Sequence, residues 1–112
     1  MILLGVVTIS YAKISESFFQ HQWCLIEGGQ TKYTLPDRTR IDCLTESHAV
    51  EVDFADKWAE ALGQSLHYSP MTGKRAGILL VLSTPNDDRL LKRMESVIQH
   101  FDLPIDVFTL RK

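Results

Sequence analysis

HAVEVDFADKWAEALGQSLHY, residues 48–68, changes its hydrophobic period halfway along, and that change sets the architecture. From Ala49 to Phe54 the side chains alternate, Val50, Val52 and Phe54 to one side, Glu51 and Asp53 to the other, which is the period of a strand. From about Ala55 to Tyr68 the period is helical: Trp58, Leu62 and Leu66 share an apolar arc, and Lys57, Glu60, Gln64 and Tyr68 form a stripe opposite. A strand therefore runs straight into an amphipathic helix. Two carboxylates on one strand face repel each other unless the face is simply solvated or something answers their charge.

Upstream, Phe18, Phe19, Gln22, Trp23 and Ile26 recur at helical spacing over Ile14 to Ile26, and Gly28-Gly29 ends that helix. Lys32 to Leu35 and Arg40 to Thr45 alternate on either side of Pro36-Asp37-Arg38-Thr39, which predicts a hairpin. Downstream, Pro70 and Gly73 are expected to break the helix before AGILLVLS, Ala76 to Ser83, a run of a strand covered on both faces. Thr84-Pro85-Asn86-Asp87 starts another helix, with Asn86 or Thr84 as its cap, running to about Phe101, and Ile105 to Leu110 forms a last strand. The order predicts a mixed α/β sandwich around a sheet of about five strands.

At 112 residues, residues 1–112 are read as a single domain. The net charge of -2 excludes a global basic field but leaves local patches open. The opening MILLGVVTISYA ends in a small-x-small pattern like a signal-peptidase site, yet no positive residue precedes it, so residues 1–12 read equally as a buried or disordered segment. That lack weighs toward a cytoplasmic protein over an exported one. The run is too short for a bilayer, and no membrane partner is expected. Cys24 and Cys43 allow a single pairing, expected on export, and are buried thiols in a reducing compartment.

The strand before residue 48 presents Arg40, Asp42 and Leu44 on one face and Ile41, Cys43 and Thr45 on the other. If the two strands are neighbours, Asp42 joins Glu51 and Asp53. A hard divalent cation such as Mg²⁺ suits such a group, since it often takes one or two protein carboxylates plus waters. Lys57, in the helix's first turn, can project toward the strand end that carries Asp53.

In this order and on these elements, Asp42, Glu51, Lys57 and Gln64-x-x-x-Tyr68 resemble the PD-(D/E)xK nuclease-like superfamily of restriction endonucleases, Holliday-junction resolvases and RecB-type exonucleases. The family core, helix, three strands, helix, strand, matches residues from about 14 to 83, with the last helix and strand as an extension. The resemblance implies a restriction-endonuclease-like fold with Asp42 and Glu51 as the two acids of the motif and ligands of Mg²⁺ or Mn²⁺. Asp53 stands where the family's lysine does, so Asp53 is an added ligand or the partner of Lys57, and Lys57 supplies the relocated ammonium. Gln64 and Tyr68 match the QxxxY of RecB-type members and, with Arg40, are expected on the substrate side. An acid from the first helix would be Glu16 or Glu27.

The implied function is metal-dependent phosphodiester hydrolysis of nucleic acid, DNA ahead of RNA. A nuclease-fold module that has lost turnover and binds a protein or nucleic-acid partner is the alternative. Lys32, Arg38, Arg40, Lys74 and Arg75 are candidates for phosphate contacts. Arg89, Lys92 and Arg93 form a solvated helix face or meet a phosphate backbone. Trp23 and Trp58 are read as core anchors, and His48 and His67 as turn and helix-flank residues.

Overall fold

A computed structural model of the chain describes residues 15–112. The expectation for residues 1–12 lies outside the described residues. The elements follow as α1 (Glu16–Ile26), β1 (Gln30–Thr34), β2 (Arg40–Leu44), β3 (His48–Phe54), a 3-10 turn (Ala55–Lys57), α2 (Trp58–Thr72), β4 (Arg75–Leu82), α3 (Asp87–His100) and β5 (Ile105–Arg111). The five strands form one mixed sheet in the order β1-β2-β3-β4-β5. β2 runs antiparallel to both its neighbours, whereas β3, β4 and β5 are parallel. The α/β class with its mixed five-stranded sheet is as the periodicities predict.

Two apolar layers explain this stacking. On one face Phe19 and Cys24 of α1 pack on Cys43, Val50, Val52, Leu79 and Val81. On the other, Ala61 and Leu62 of α2 and Met94 of α3 pack on Ala76, Ile78, Leu80 and Leu82. β4, covered from both sides, is therefore buried and apolar from Ala76 to its end. Trp23 packs beside Phe108, with ring centroids 5.5 Å apart, and Trp58 against the α2-α3 layer, so both tryptophans support the core. The face that α1 buries differs from the expected one: Phe19, Gln20 and Cys24 turn inward, while Phe18 and Ile26 are exposed.

Cys24 and Cys43 form a disulfide that ties α1 to β2. The two glycines after α1 serve different ends. Gly28 takes a left-handed φ of 70°, and Gly29 passes so close to the bridge that a Cβ there would meet the sulfurs at 2.6 and 2.8 Å. The first hairpin strand ends one residue earlier than predicted, because Leu35 turns in as a buried residue and its N–H donates to Thr39 O across the turn.

Two predicted boundaries are corrected. Pro70 does not stop α2, which continues to Thr72 and ends where Gly73 adopts φ 70° and donates its N–H to Ser69 O at 2.9 Å. At α3, neither Asn86 nor Thr84 makes the expected side-chain cap. Asp87 reaches back instead, accepting from Ser83 N–H at 2.6 Å and Thr84 N–H at 3.1 Å.

Candidate functional site

β2 and β3 pair only at Cys43–Val50 and Leu44–Ala49, and beyond that point they part. Into the gap goes the Asp42 side chain, whose Oδ2 accepts from Val52 N–H at 2.8 Å and so takes the place of a ladder bond. Gln20 of α1, buried, donates from Nε2 to Asp42 O at 3.0 Å. The ladder between β1 and β2 is interrupted at the same level: Thr31–Cys43 and Tyr33–Ile41 pair, and Lys32 between them takes φ 54°. A non-glycine residue held there is a strained element of the kind that collects around sites.

The parted strands let the first turn of α1 approach the acids of β3. Glu16 acts on the Asp53 carboxyl, and Asp42 on that of Glu51, strongly enough to raise them. Glu51 and Asp53 are only 5% and 4% exposed, which excludes a solvated polar strand face. Glu51 Oε2 and Asp53 Oδ2 are buried with no hydrogen-bond partner. Burial foremost, then the charges of Asp42 and Asp53, push the Glu51 carboxyl up to about 10. Burial and then Glu16 push Asp53 up to about 8, opposed by the positive charge of Lys57. Burial also raises Glu16, aided by Asp42, and raises Asp42 against the lowering effect of the Val52 N–H. Four carboxyls this close hold shared protons near neutral pH or need a cation among them.

The predicted acids Asp42, Glu51 and Asp53 thus meet at one place. Of the two candidates on the first helix, Glu16 joins them and Glu27, past the far end of α1, does not. Lys57 is exposed; its charge bears on Asp53 and Glu16, but it forms no ion pair within 4.0 Å with a described residue. Glu16 weighs more on the Asp53 carboxyl than Lys57 does. Tyr68 is buried, its hydroxyl donating to Arg40 O at 2.8 Å, and the neighbouring Glu51 and Asp42 add to burial in raising its pKa. Gln64, one turn earlier, is exposed, so the QxxxY pair splits between the site and its outer side. Arg40 is exposed, and its charge and that of Lys32 act on Asp42.

Gln20 is the residue that sequence reasoning missed. Its four-residue spacing between Glu16 and Cys24 was the available signal, since such positions share one helix face. Two phosphate candidates are otherwise engaged. Arg75 donates to Asp106 from Nε at 2.7 Å and from a terminal nitrogen at 3.1 Å, and Lys74 donates to Glu46 O. His48 Nε2 also meets Asp106 at 2.7 Å, and His67 Nε2 meets Asp37 at 2.7 Å.

Of the four acids Glu16 alone lines a cleft of about 480 Å³, together with Asp56, Lys57, Thr84, Asp87 and Lys112 among others. It lies past the carboxyl ends of β3, β4 and β5, the usual place for a ligand on a parallel sheet. No group of three or more His, Cys, Asp and Glu side chains is arranged as a ready metal cage among the described residues. The orphaned oxygens of Glu51 and Asp53 are nonetheless the donors a hard divalent ion takes, with waters completing its shell. Comparison with known proteins finds no family model, no curated protein and no solved structure that matches the chain.

Proposed function

We propose that the protein is a metal-dependent phosphodiesterase acting on nucleic acid, of the PD-(D/E)xK nuclease type. The observation that carries this reading is the burial of Glu51 and Asp53, each with an unpartnered oxygen, beside Asp42 where two strands part. A fold does not bury such groups for stability, because each ionised carboxylate left without a partner costs free energy. The chain order α1-β1-β2-β3-α2-β4 is also that of the nuclease core, with α3 and β5 as its extension.

Asp42 and Glu51 would hold Mg²⁺ or Mn²⁺, with Asp53 alongside. Such an ion, when bound, polarises a phosphoryl oxygen and lowers the pKa of water. The chain's own residues supply the rest. Gln20 and Val52 N–H fix Asp42 at the fork of the strands. Tyr68 joins α2 to β2 through Arg40 O and backs Glu51. Lys57 sets an ammonium at the lip of the cleft, where charge develops on a phosphoryl group. Arg40 and Lys32, exposed beside Asp42, are placed for flanking phosphates, and Gln64 lies further out on α2.

Labelled DNA and RNA incubated with Mg²⁺ or Mn²⁺ test the proposal. Cleavage that Asp42→Asn abolishes is expected, together with calorimetric metal binding that the same change removes. Uncleaved substrates with the wild-type protein would refute turnover. The second reading, a module that binds without cleaving, draws on the exposure of Lys57 and the acid at position 53. It requires nucleic-acid or protein binding without turnover.

A further inference from the structure

A second groove, of about 490 Å³, lies between the start of α2 and the outer side of α3, lined by Trp58, Arg89, Lys92, Arg93, Ser96 and Val97. Arg89, Lys92, Arg93 and Ser96 fall at helical spacings of three and four and are all exposed, so one stripe of α3 carries three cations in a chain of net charge -2. None of the three forms an ion pair within 4.0 Å with a described residue, and Asp88, one position before Arg89, is held by Arg111. Trp58 is half-buried: it packs on the core and also borders the groove.

We infer that this groove binds single-stranded nucleic acid, with a base stacked on Trp58 and the phosphates held by Arg89, Lys92 and Arg93. The inference deepens the nuclease reading and rests on it for the direction of the strand: Trp58 directly follows Lys57, so a strand along α3 is delivered to the acidic cleft. Charge complementarity selects a polyanion. The aromatic ring and the aliphatic stems of the basic residues select one with flat apolar faces. A duplex hides those faces in its own stack, and an acidic peptide lacks them.

The test is fluorescence anisotropy of a labelled oligothymidylate in EDTA, where metal-dependent cleavage is shut off. The wild type should bind. Trp58→Leu should weaken binding about tenfold, the scale of one lost stacking contact. The triple variant Arg89→Ala, Lys92→Ala, Arg93→Ala should weaken it further and flatten the slope of log affinity against log salt by about 2, the loss of roughly three phosphate contacts to a single strand. Lys92→Glu, a lone surface change, should weaken binding without disturbing thermal unfolding. Unchanged affinity in the triple variant overturns the inference, as does a wild type that binds no single strand, binds duplex as tightly, or yields equally to competition by polyglutamate. Cleavage with Mg²⁺ alongside groove variants of unchanged affinity rejects the groove and leaves the nuclease. Groove-dependent binding without cleavage supports the groove and rejects the nuclease.

Discussion

Replacing Glu51 by Gln should make the protein more stable at neutral and alkaline pH and, on the proposed reading, weaken its binding of Mg²⁺. The Glu51 carboxyl is raised from an ordinary 4.5 to about 10, mainly by burial. The folded state therefore holds a proton that the unfolded chain releases. Stability from this proton is fully present below the unfolded value and declines as pH rises toward the folded one. The slope is about 1.4 kcal/mol per pH unit for one proton. Between an ordinary glutamate and pH 7, some two and a half units, the wild type loses about 3 kcal/mol by that rule. Glutamine keeps the shape and a donor for Asp42 and cannot ionise. In a domain of this size about 3 kcal/mol corresponds to more than ~10 °C in Tm. Thermal unfolding followed by circular dichroism at pH 5, 7 and 9 in EDTA is the assay. The expected result is a wild-type Tm that falls as pH rises, and a Glu51→Gln Tm that matches it near pH 5 and exceeds it at 7 and 9. Mg²⁺ should raise the wild-type Tm at pH 8 and leave that of the variant unchanged. A wild-type profile flat from pH 5 to 9, or a variant less stable throughout, would refute the buried, proton-sharing state of Glu51.

Lys57→Ala should leave stability within about 0.5 kcal/mol, as an exposed substitution does, yet reduce cleavage by ~100-fold or more if its ammonium faces the developing charge; single-turnover kinetics reads this. Opening the bridge with Cys24→Ser and Cys43→Ser should cost about 3 kcal/mol of stability, the chain-entropy value for a 19-residue separation, measured by urea unfolding. Intact mass with and without reductant should report the bridge itself. Asp106, held down to about 2 by Arg75 and His48, contributes stability that is present above its ordinary 3.8 and lost as pH falls toward 2. With its side chain 40% exposed, Asp106→Asn should cost less than ~1 kcal/mol at pH 7, and the difference should vanish near pH 2.

The fold could be read from local periods. The switch at Phe54–Ala55 from a two-residue to a helical repeat set β3 and α2, and the unbroken apolar run after Arg75 marked β4 as the doubly covered strand. The meeting of Asp42, Glu51 and Asp53 followed from alternation along two strands and from their being neighbours. What stayed illegible depends on contacts between distant segments. Glu16 and Glu27 are equally acidic in sequence, and only the packing of α1, which sets its first turn by the acids and its far end away from them, picks Glu16. Gln64 and Tyr68 share a helical stripe, but Tyr68 sits where α2 crosses β2 and is covered, whereas Gln64 is exposed. The fork itself has no sequence signature, because it exists where the Asp42 carboxylate displaces a backbone acceptor. Pro70 costs α2 one backbone donor without ending it, and Gly73, expected alongside it as a breaker, is where the helix stops.

The cluster and the disulfide belong to one energetic argument. Four carboxyls drawn from α1, β2 and β3 repel one another whenever they ionise, and holding Glu51 protonated instead costs a few kcal/mol near neutral pH. Cys24 lies on the same α1 face as Glu16 and Gln20, and Cys43 follows Asp42, so the bridge joins the two elements that the repulsion would separate. Its stabilisation, about 3 kcal/mol, is of the same order as that cost. The bond from Gln20 to Asp42 O spans the same gap without covalent help. An acidic pocket that would be unstable on a bare strand pair is thus steadied by a helix fastened to β2, with two of its buried oxygens still unpartnered.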